Sequence, residues 1–142
     1  MPLVSITRLR VRSWRYFPVF LFQALRSARQ AARSEGNQST RLLQDRHNTF
    51  WTQSVWSSEE AMKAFMLAGT HRSVMHSLLE WCDEAALVHW NQEQSGPPSW
   101  QESHLRLKQA GRVSKVNHPS PDQQSFSIPA PQPRPASVIR FR

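Results

Sequence analysis

From Leu3 to Val11 the chain alternates with a period of two, which predicts a strand. Leu3, Ser5, Thr7, Leu9 and Val11 fall on one face, and Val4, Ile6, Arg8 and Arg10 on the other. Neither face is polar throughout, so the strand belongs in a sheet covered on both sides. Apolar positions then recur at spacings of three and four from about Arg15 to Arg33, with Phe17, Leu21, Ala24, Leu25, Ala28, Ala31 and Ala32 in the stripe. Pro18 is tolerated in the first turn of that helix, and Gly36-Asn37 stops it. Two strands follow, Ser39–Asp45 and Thr49–Trp56, joined by a tight polar turn at Arg46-His47-Asn48. Phe50, Thr52, Ser54 and Trp56 share one face of the second strand, with Trp51, Gln53 and Val55 on the other. Bulky aromatics on both faces bury that strand twice.

Ser57 and Glu60 have capping-box spacing, with Trp56 and Ala61 as an accompanying staple. Ala61, Ala64, Phe65 and Ala68 form the stripe of the helix they open, and Gly69 ends it. Thr70 is placed to cap a second segment, His71 to Trp81, with Val74, Met75, Leu78 and Leu79 inward. A last strand runs from Ala85 to Trp90. The order β-α-β-β-α-β is the split βαβ pattern, so residues 1–92 are expected to form an α+β domain of ferredoxin-like type. Gly96-Pro97-Pro98 marks a boundary, and Ser99 with Glu102 caps a short helix that Trp100 would dock on the domain, giving a linker and docking helix over 93–112. From 113 to 142 the chain is basic and rich in Pro, Gln and Ser, with six Pro between Pro119 and Pro135, a composition expected to stay disordered.

Composition adjusts this picture in three places. Six Trp and seven Phe are concentrated before residue 101, which locates the core. The net charge of +8 is spread, with 11 Lys/Arg against 7 Asp/Glu in residues 1–92 and 7 against 3 in 93–142. That balance favours contact with anions without forming a dense nucleic-acid patch. Cys82 is alone, so no internal disulfide forms and a reducing, cytoplasmic setting is expected. The apolar run from Tyr16 to Phe22 follows Arg8, Arg10 and Arg12, but it is short, broken by Pro18 and continues as an amphipathic helix. It reads as neither a signal peptide nor a span, which needs about 20 apolar residues. The apolar second face of the sheet would need cover, and pairing with another subunit would supply it, so a homodimer is expected.

The stretch Thr49-Phe50, Trp56, Ala61 to Phe65, His71, Trp81 and Glu84 resembles the dimeric α/β-barrel superfamily, which includes antibiotic-biosynthesis and haem-degrading monooxygenases. Within it the likeness, over roughly residues 48–90, is closest to spheroidene-monooxygenase-like proteins. The resemblance implies a pocket between the sheet and the second helix, occupied by haem or by an apolar small molecule. Trp51, Trp56, Phe65, His71 and Met75 are the candidate lining residues, and His71 is the candidate haem ligand. A plain role is also open to His71, which begins a helical segment and can hydrogen-bond a neighbouring turn. The haem-degrading set itself does not carry over. Where that subfamily has a first-strand asparagine this chain has Ser5 and Thr7, and Phe65 stands at the helical tryptophan position. Ten residues further on is Met75, while His76 points about 100° away around the helix.

Arg8, Arg10 and Arg12 share a strand face and could grip a carboxylate or phosphate, or simply form a solvated strand end. Glu84 with His89 offers acid–base chemistry, although a strand entrance suggests an exposed Glu84. No glycine-rich phosphate loop, paired-cysteine metal site, His-x-x-x-His helix or nucleophile elbow is present. RNA recognition on this strand order would need first-strand aromatics and a basic-glycine-aromatic run, and Asn48-Thr49-Phe50-Trp51-Thr52 has no glycine. Specific nucleic-acid binding is therefore not expected, leaving the basic tail at most non-specific contacts. Two function classes remain: a monooxygenase-like enzyme acting on an apolar molecule, and a non-catalytic dimeric module that carries a small ligand.

Overall fold

The computed structural model describes residues 1–94 and 96–141, and for Thr70 and His71 the backbone alone. The chain runs β1 (Leu3–Val11), α1 (Phe17–Arg33), β2 (Asn37–Asp45), β3 (Thr49–Trp56), α2 (Glu59–Met66), α3 (Gly69–Trp81), β4 (Cys82–Asn91) and α4 (Trp100–Ala110). It then forms β5 (Arg112–Val113), α5 (Pro121–Ser125), a 3-10 turn at Pro135–Ser137 and β6 (Val138–Phe141). The strands make one antiparallel sheet in the order β5-β4-β1-β3-β2-β6. Its inner four strands have the ferredoxin-like order, so the fold is α+β of that type.

Local chemistry explains the joints. His47 and Asn48 both take positive φ, near +58° and +57°, and Thr49 donates to the Arg46 carbonyl at 3.2 Å. Two consecutive left-handed residues give a hairpin turn whose twist matches its strands. Gly36 has φ +85°, and a Cβ there would lie 2.5 Å from the Ala61 Cβ, so glycine lets the end of α1 pass against α2. Ser58 rather than Ser57 caps α2, by accepting from the Ala61 N–H, because Ser57 donates its own N–H to the Gly36 carbonyl and still belongs to the turn. α3 begins at Gly69, with Ala68 in the cap position where Thr70 was expected.

The helices α1, α2 and α3 cover one face of the sheet. Phe20, Leu42, Phe50 and Cys82 pack there, as do Leu3, Ala31, Trp56 and Met62 nearer α2. The opposite face carries Val4, Ile6, Leu43, Trp51, Val55 and Val88, and it is covered from within the same chain. Trp100 and Leu107 of α4 join that cluster, with Phe126, Ile128 and Val138 packed against it. The cover that the sequence led one to expect from a second subunit is supplied on this face by the chain itself.

The segment expected to be a disordered tail is laid across the domain in this structure. β5 pairs with the edge strand β4, and β6 pairs with β2 at the other edge. Between them the Ser114, Asn117 and Ser120 amides donate to the carbonyls of Ala85, Leu79 and Asp83. Gln123 accepts from the Ala85 N–H and donates to the Ser114 carbonyl. A polar, Pro-rich stretch cannot build a core of its own. Here it borrows one, since a few apolar anchors enter an existing cluster and its backbone satisfies two open sheet edges.

Buried polar groups fix where α4 begins. Arg41 donates from Nε to Gln53 Oε1 at 2.6 Å and from Nη2 to the Pro98 carbonyl at 2.8 Å. Gln53, fully buried, donates to the same carbonyl at 2.9 Å and to Ser103 Oγ at 3.0 Å. The Arg41 guanidinium also lies over the Trp100 ring, 4.8 Å from its centroid. Leu107 is fully buried beneath α4. Replacing it with alanine is expected to cost about 2–5 kcal/mol in denaturant unfolding, as for other buried leucines. A loss below about 1 kcal/mol would mean that α4 is not part of the core.

Candidate functional site

On the inner face the sheet carries short polar side chains beneath α1. Antiparallel register sets His89, Ser5, Ser54 and Thr40 in one cross-strand row, and Leu87, Thr7, Thr52 and Leu42 in the next. α1 answers with Ala24, Ser27, Ala28 and Ala31, which are also short for a helix facing a sheet. Close packing normally fills such a space. Here small residues on both walls leave a cavity of about 180 Å³. Met62, Phe65 and Met66 of α2 bound it, as do Val74, Leu78 and Trp81 of α3. The lining is mainly apolar, with the hydroxyl floor as its polar feature.

Three groups define its chemistry. Trp56 is fully buried, donates to Ser54 Oγ at 2.8 Å and stacks on Phe65 with centroids 5.3 Å apart. His89 stands exposed at the rim, next to Arg112 of β5. Partial burial of the imidazole and the nearby Arg112 charge hold its pKa below the ordinary histidine range, against an opposing pull from Glu59. The ring therefore stays neutral at neutral pH, able to donate from one nitrogen and accept at the other. Gln23 presents a buried Oε1 with no hydrogen-bond partner among the described residues.

The structure gathers only some of the residues singled out in the sequence. Trp56 and Phe65 line the cavity. Trp51 lies on the other face of the sheet, in the core under α4, and donates to Asp45 Oδ2 at 3.1 Å. Met75 is 44 % exposed and stands outside the cavity. The His71 side chain lies outside the described residues. The floor hydroxyls, Gln23 and Arg112 went unnoticed in the sequence. The alternation of Ser5 and Thr7 within an otherwise apolar strand face was the signal available for the first of these.

Arg8 and Arg10 of β1, and Arg12 just after it, grip carboxylates that belong to their own chain. Arg8 Nη1 reaches Glu84 Oε1 at 2.7 Å, Arg10 Nη1 reaches Oε2 at 3.0 Å, and Ser120 donates to Oε2 at 2.7 Å. Arg12 pairs with Glu80, which also accepts from Asn117. Glu84 is 2 % exposed, which corrects the expectation of an exposed residue. Burial by itself pushes its carboxyl up, but the hydrogen bonds from Ser120 and Arg8, the Arg8 charge and the Arg10 hydrogen bond together bring it below the ordinary range. Glu84 and His89 lie on opposite faces of the sheet, so they do not form an acid–base pair. Cys82 is fully buried, and burial first, then the Asp83 charge, pushes its thiol up to about 12. It is not a nucleophile in the folded state.

A family model described as Domain of unknown function (DUF3291) matches residues 23–136. The chain belongs to that family. No curated protein matches it. Solved structures similar in fold include a putative antibiotic biosynthesis monooxygenase from Nitrosomonas europaea, at 16% identity and a TM-score of 0.58, over 64% of this chain and 89% of that one. SnoaB, a cofactor-independent oxygenase from Streptomyces nogalater, is similar at 18% identity and a TM-score of 0.56, over 68% and 98%. Rv0793 from Mycobacterium tuberculosis is similar at 11% identity and a TM-score of 0.60, over 66% and 97%. These likenesses establish a fold shared with monooxygenase-like proteins.

In this DUF3291 chain the cavity does not fit haem. Sites for drug-sized ligands measure roughly 300–1,000 Å³, and a tetrapyrrole is larger than most such ligands. Among the described residues that line the cavity, His89 at the rim is the only imidazole. Among the described residues no group of His, Cys, Asp and Glu is gathered to hold a metal ion. No helix among them is long and apolar enough to cross a membrane.

Glu84→Gln is expected to destabilise the fold by about 3–5 kcal/mol at neutral pH, because it leaves two arginines facing a neutral amide. The sign of the pH dependence follows from the lowered carboxyl. Its stabilisation is complete above the ordinary value of 4.5 and is lost as pH falls through the folded-state value. Denaturant titrations should show the difference between wild type and variant narrowing below that pH. A gap that stays constant on acidification would refute the assignment.

Proposed function

We propose that this protein binds a small, largely apolar organic molecule between its sheet and helices, and acts as a monooxygenase-like protein on it. The cavity of about 180 Å³, apolar on its helical walls and hydroxyl-lined on its floor, carries the reading. Its size selects a compact ligand of one or two fused rings, well below drug size. Trp56 and Phe65 offer flat apolar surface to such a ring. Ser5, Thr7 and Thr52 face it with hydroxyls that can serve as donors or acceptors. The likeness of residues 48–90 to spheroidene-monooxygenase-like proteins supports the same placement, since Trp56 and Phe65 are among the positions that carry it. The fold neighbours described as oxygenases extend the proposal from binding to oxygenation of the bound molecule.

Pairing of two copies sheet to sheet would have to displace α4 and the segment from β5 to β6. We therefore propose that the full chain does not dimerise through that face. A lone buried thiol is compatible with a reducing cytoplasm, where we place it.

Titration with 2-naphthamide, a compact neutral aromatic, tests the cavity directly. Saturable binding with a change in tryptophan fluorescence is expected, since Trp56 and Trp81 both line the space. Ala24→Phe puts a ring into the void and should abolish binding at a stability change of about 1–3 kcal/mol or less. Unaltered binding by a folded Ala24→Phe variant would refute this site.

A further inference from the structure

The rim of the cavity near β4 differs from the rest of its lining. His89 of β4 stands there in the same cross-strand row as Ser5 and Ser54. Arg112 of β5 lines the cavity as well, exposed at its edge. Among the other basic side chains near this sheet, Arg140 of β6 is exposed at the far edge and does not line the cavity. Arg8, Arg10 and Arg12 are held by Glu84, Asp83 and Glu80, and Arg41 by Gln53 and Pro98. Arg112 has no carboxylate partner among the described residues. The acid whose charge acts on His89 is Glu59, which is itself paired with Lys63 at 3.3 Å. An unpaired guanidinium and a neutral imidazole thus adjoin one end of an apolar space. Serine hydroxyls continue the polar row inward from them.

Resting on the cavity reading above, we infer that the ligand is an aromatic acid whose ring fills the apolar space and whose anionic group is received at the rim by Arg112 and His89. Its ring would lie over Ser5 and Thr7, between the sheet and Ala24 and Ala28 of α1. The guanidinium supplies charge and a donor fork that suits a carboxylate. The imidazole donates from its protonated nitrogen, and an arriving anion favours its second protonation, offsetting the opposing charge of Arg112. From the α1 wall the unpartnered Gln23 Oε1 accepts from a donor on the ring, so a hydroxyl or amino substituent would add affinity. β5 is laid on β4 as the first step of the C-terminal crossing, so the covering segment also contributes the charge that selects the ligand.

The test compares 2-naphthoate with 2-naphthamide, which has nearly the same shape and no charge, by calorimetry on the full-length protein. The acid is expected to bind about tenfold more tightly, the value of one charge-assisted hydrogen bond. Arg112→Gln, an exposed change with little demand on folding, should bring the two affinities together. NMR titration of His89 should show its pKa raised by 2-naphthoate and unmoved by 2-naphthamide. Equal binding of the two probes by the wild type, or a preference that survives Arg112→Gln, would overturn the acid assignment and leave the cavity reading standing. Failure of both probes to bind would overturn the two together.

Discussion

A sheet with apolar residues on both faces must be covered twice, and in this protein one chain supplies both covers. β1 and β3 are central, and Trp51, Trp56, Phe50, Ile6 and Val55 are almost wholly buried, some on each side. Burial of this kind contributes about 25 cal/mol per Å² of apolar surface. Helices α1 to α3 meet the inner face in the usual manner of split βαβ folds. The outer face is met by α4 and by a polar segment that crosses from one sheet edge to the other. Without that crossing, Trp51 and its neighbours would form an exposed apolar patch of the sort that drives association.

Directional contacts rather than apolar area keep the second cover in place. The Pro98 carbonyl is held by both Arg41 and Gln53, which sets where α4 starts. Glu84, buried between Arg8 and Arg10, accepts a third bond from Ser120 on the crossing segment. A buried charge with its partners complete is tolerated, while one deprived of a partner is costly. The Glu84 cluster therefore joins β1, β4 and the C-terminal segment in a single electrostatic unit. The arginine stripe of β1 serves the fold, and Arg112 of β5 is the arginine that lines the cavity.

The inner face has the complementary property. There the covering helix and the sheet both present short side chains, so full coverage leaves a void instead of a packed layer. Such a void gives up contacts that larger side chains would supply, which makes it a feature a ligand can repay. On the reading proposed above, its shape suits a compact ring and its rim a charged group on that ring.

Residue pattern alone determined the order of elements from β1 to α4, the strand alternation, the capping of α4 by Ser99 and the two-sided burial of β3. Each of these is local, fixed by a period of two or 3.6 or by a side chain reaching its own backbone. The family resemblance, rather than the pattern, pointed to Trp56 and Phe65, which line the cavity. The pattern could not say which face Trp51 would serve, because both faces of β3 are apolar. Nor could it show that Arg8 and Arg10 would close on Glu84, more than seventy residues away in sequence, or that Arg112 would arrive beside His89. Those pairings depend on the antiparallel register of β1 with β4 and of β4 with β5. The fate of the C-terminal segment was hidden for a related reason. Its composition shows how little core it can build, whereas its order comes from edges and an apolar face that exist only once the rest of the chain has folded.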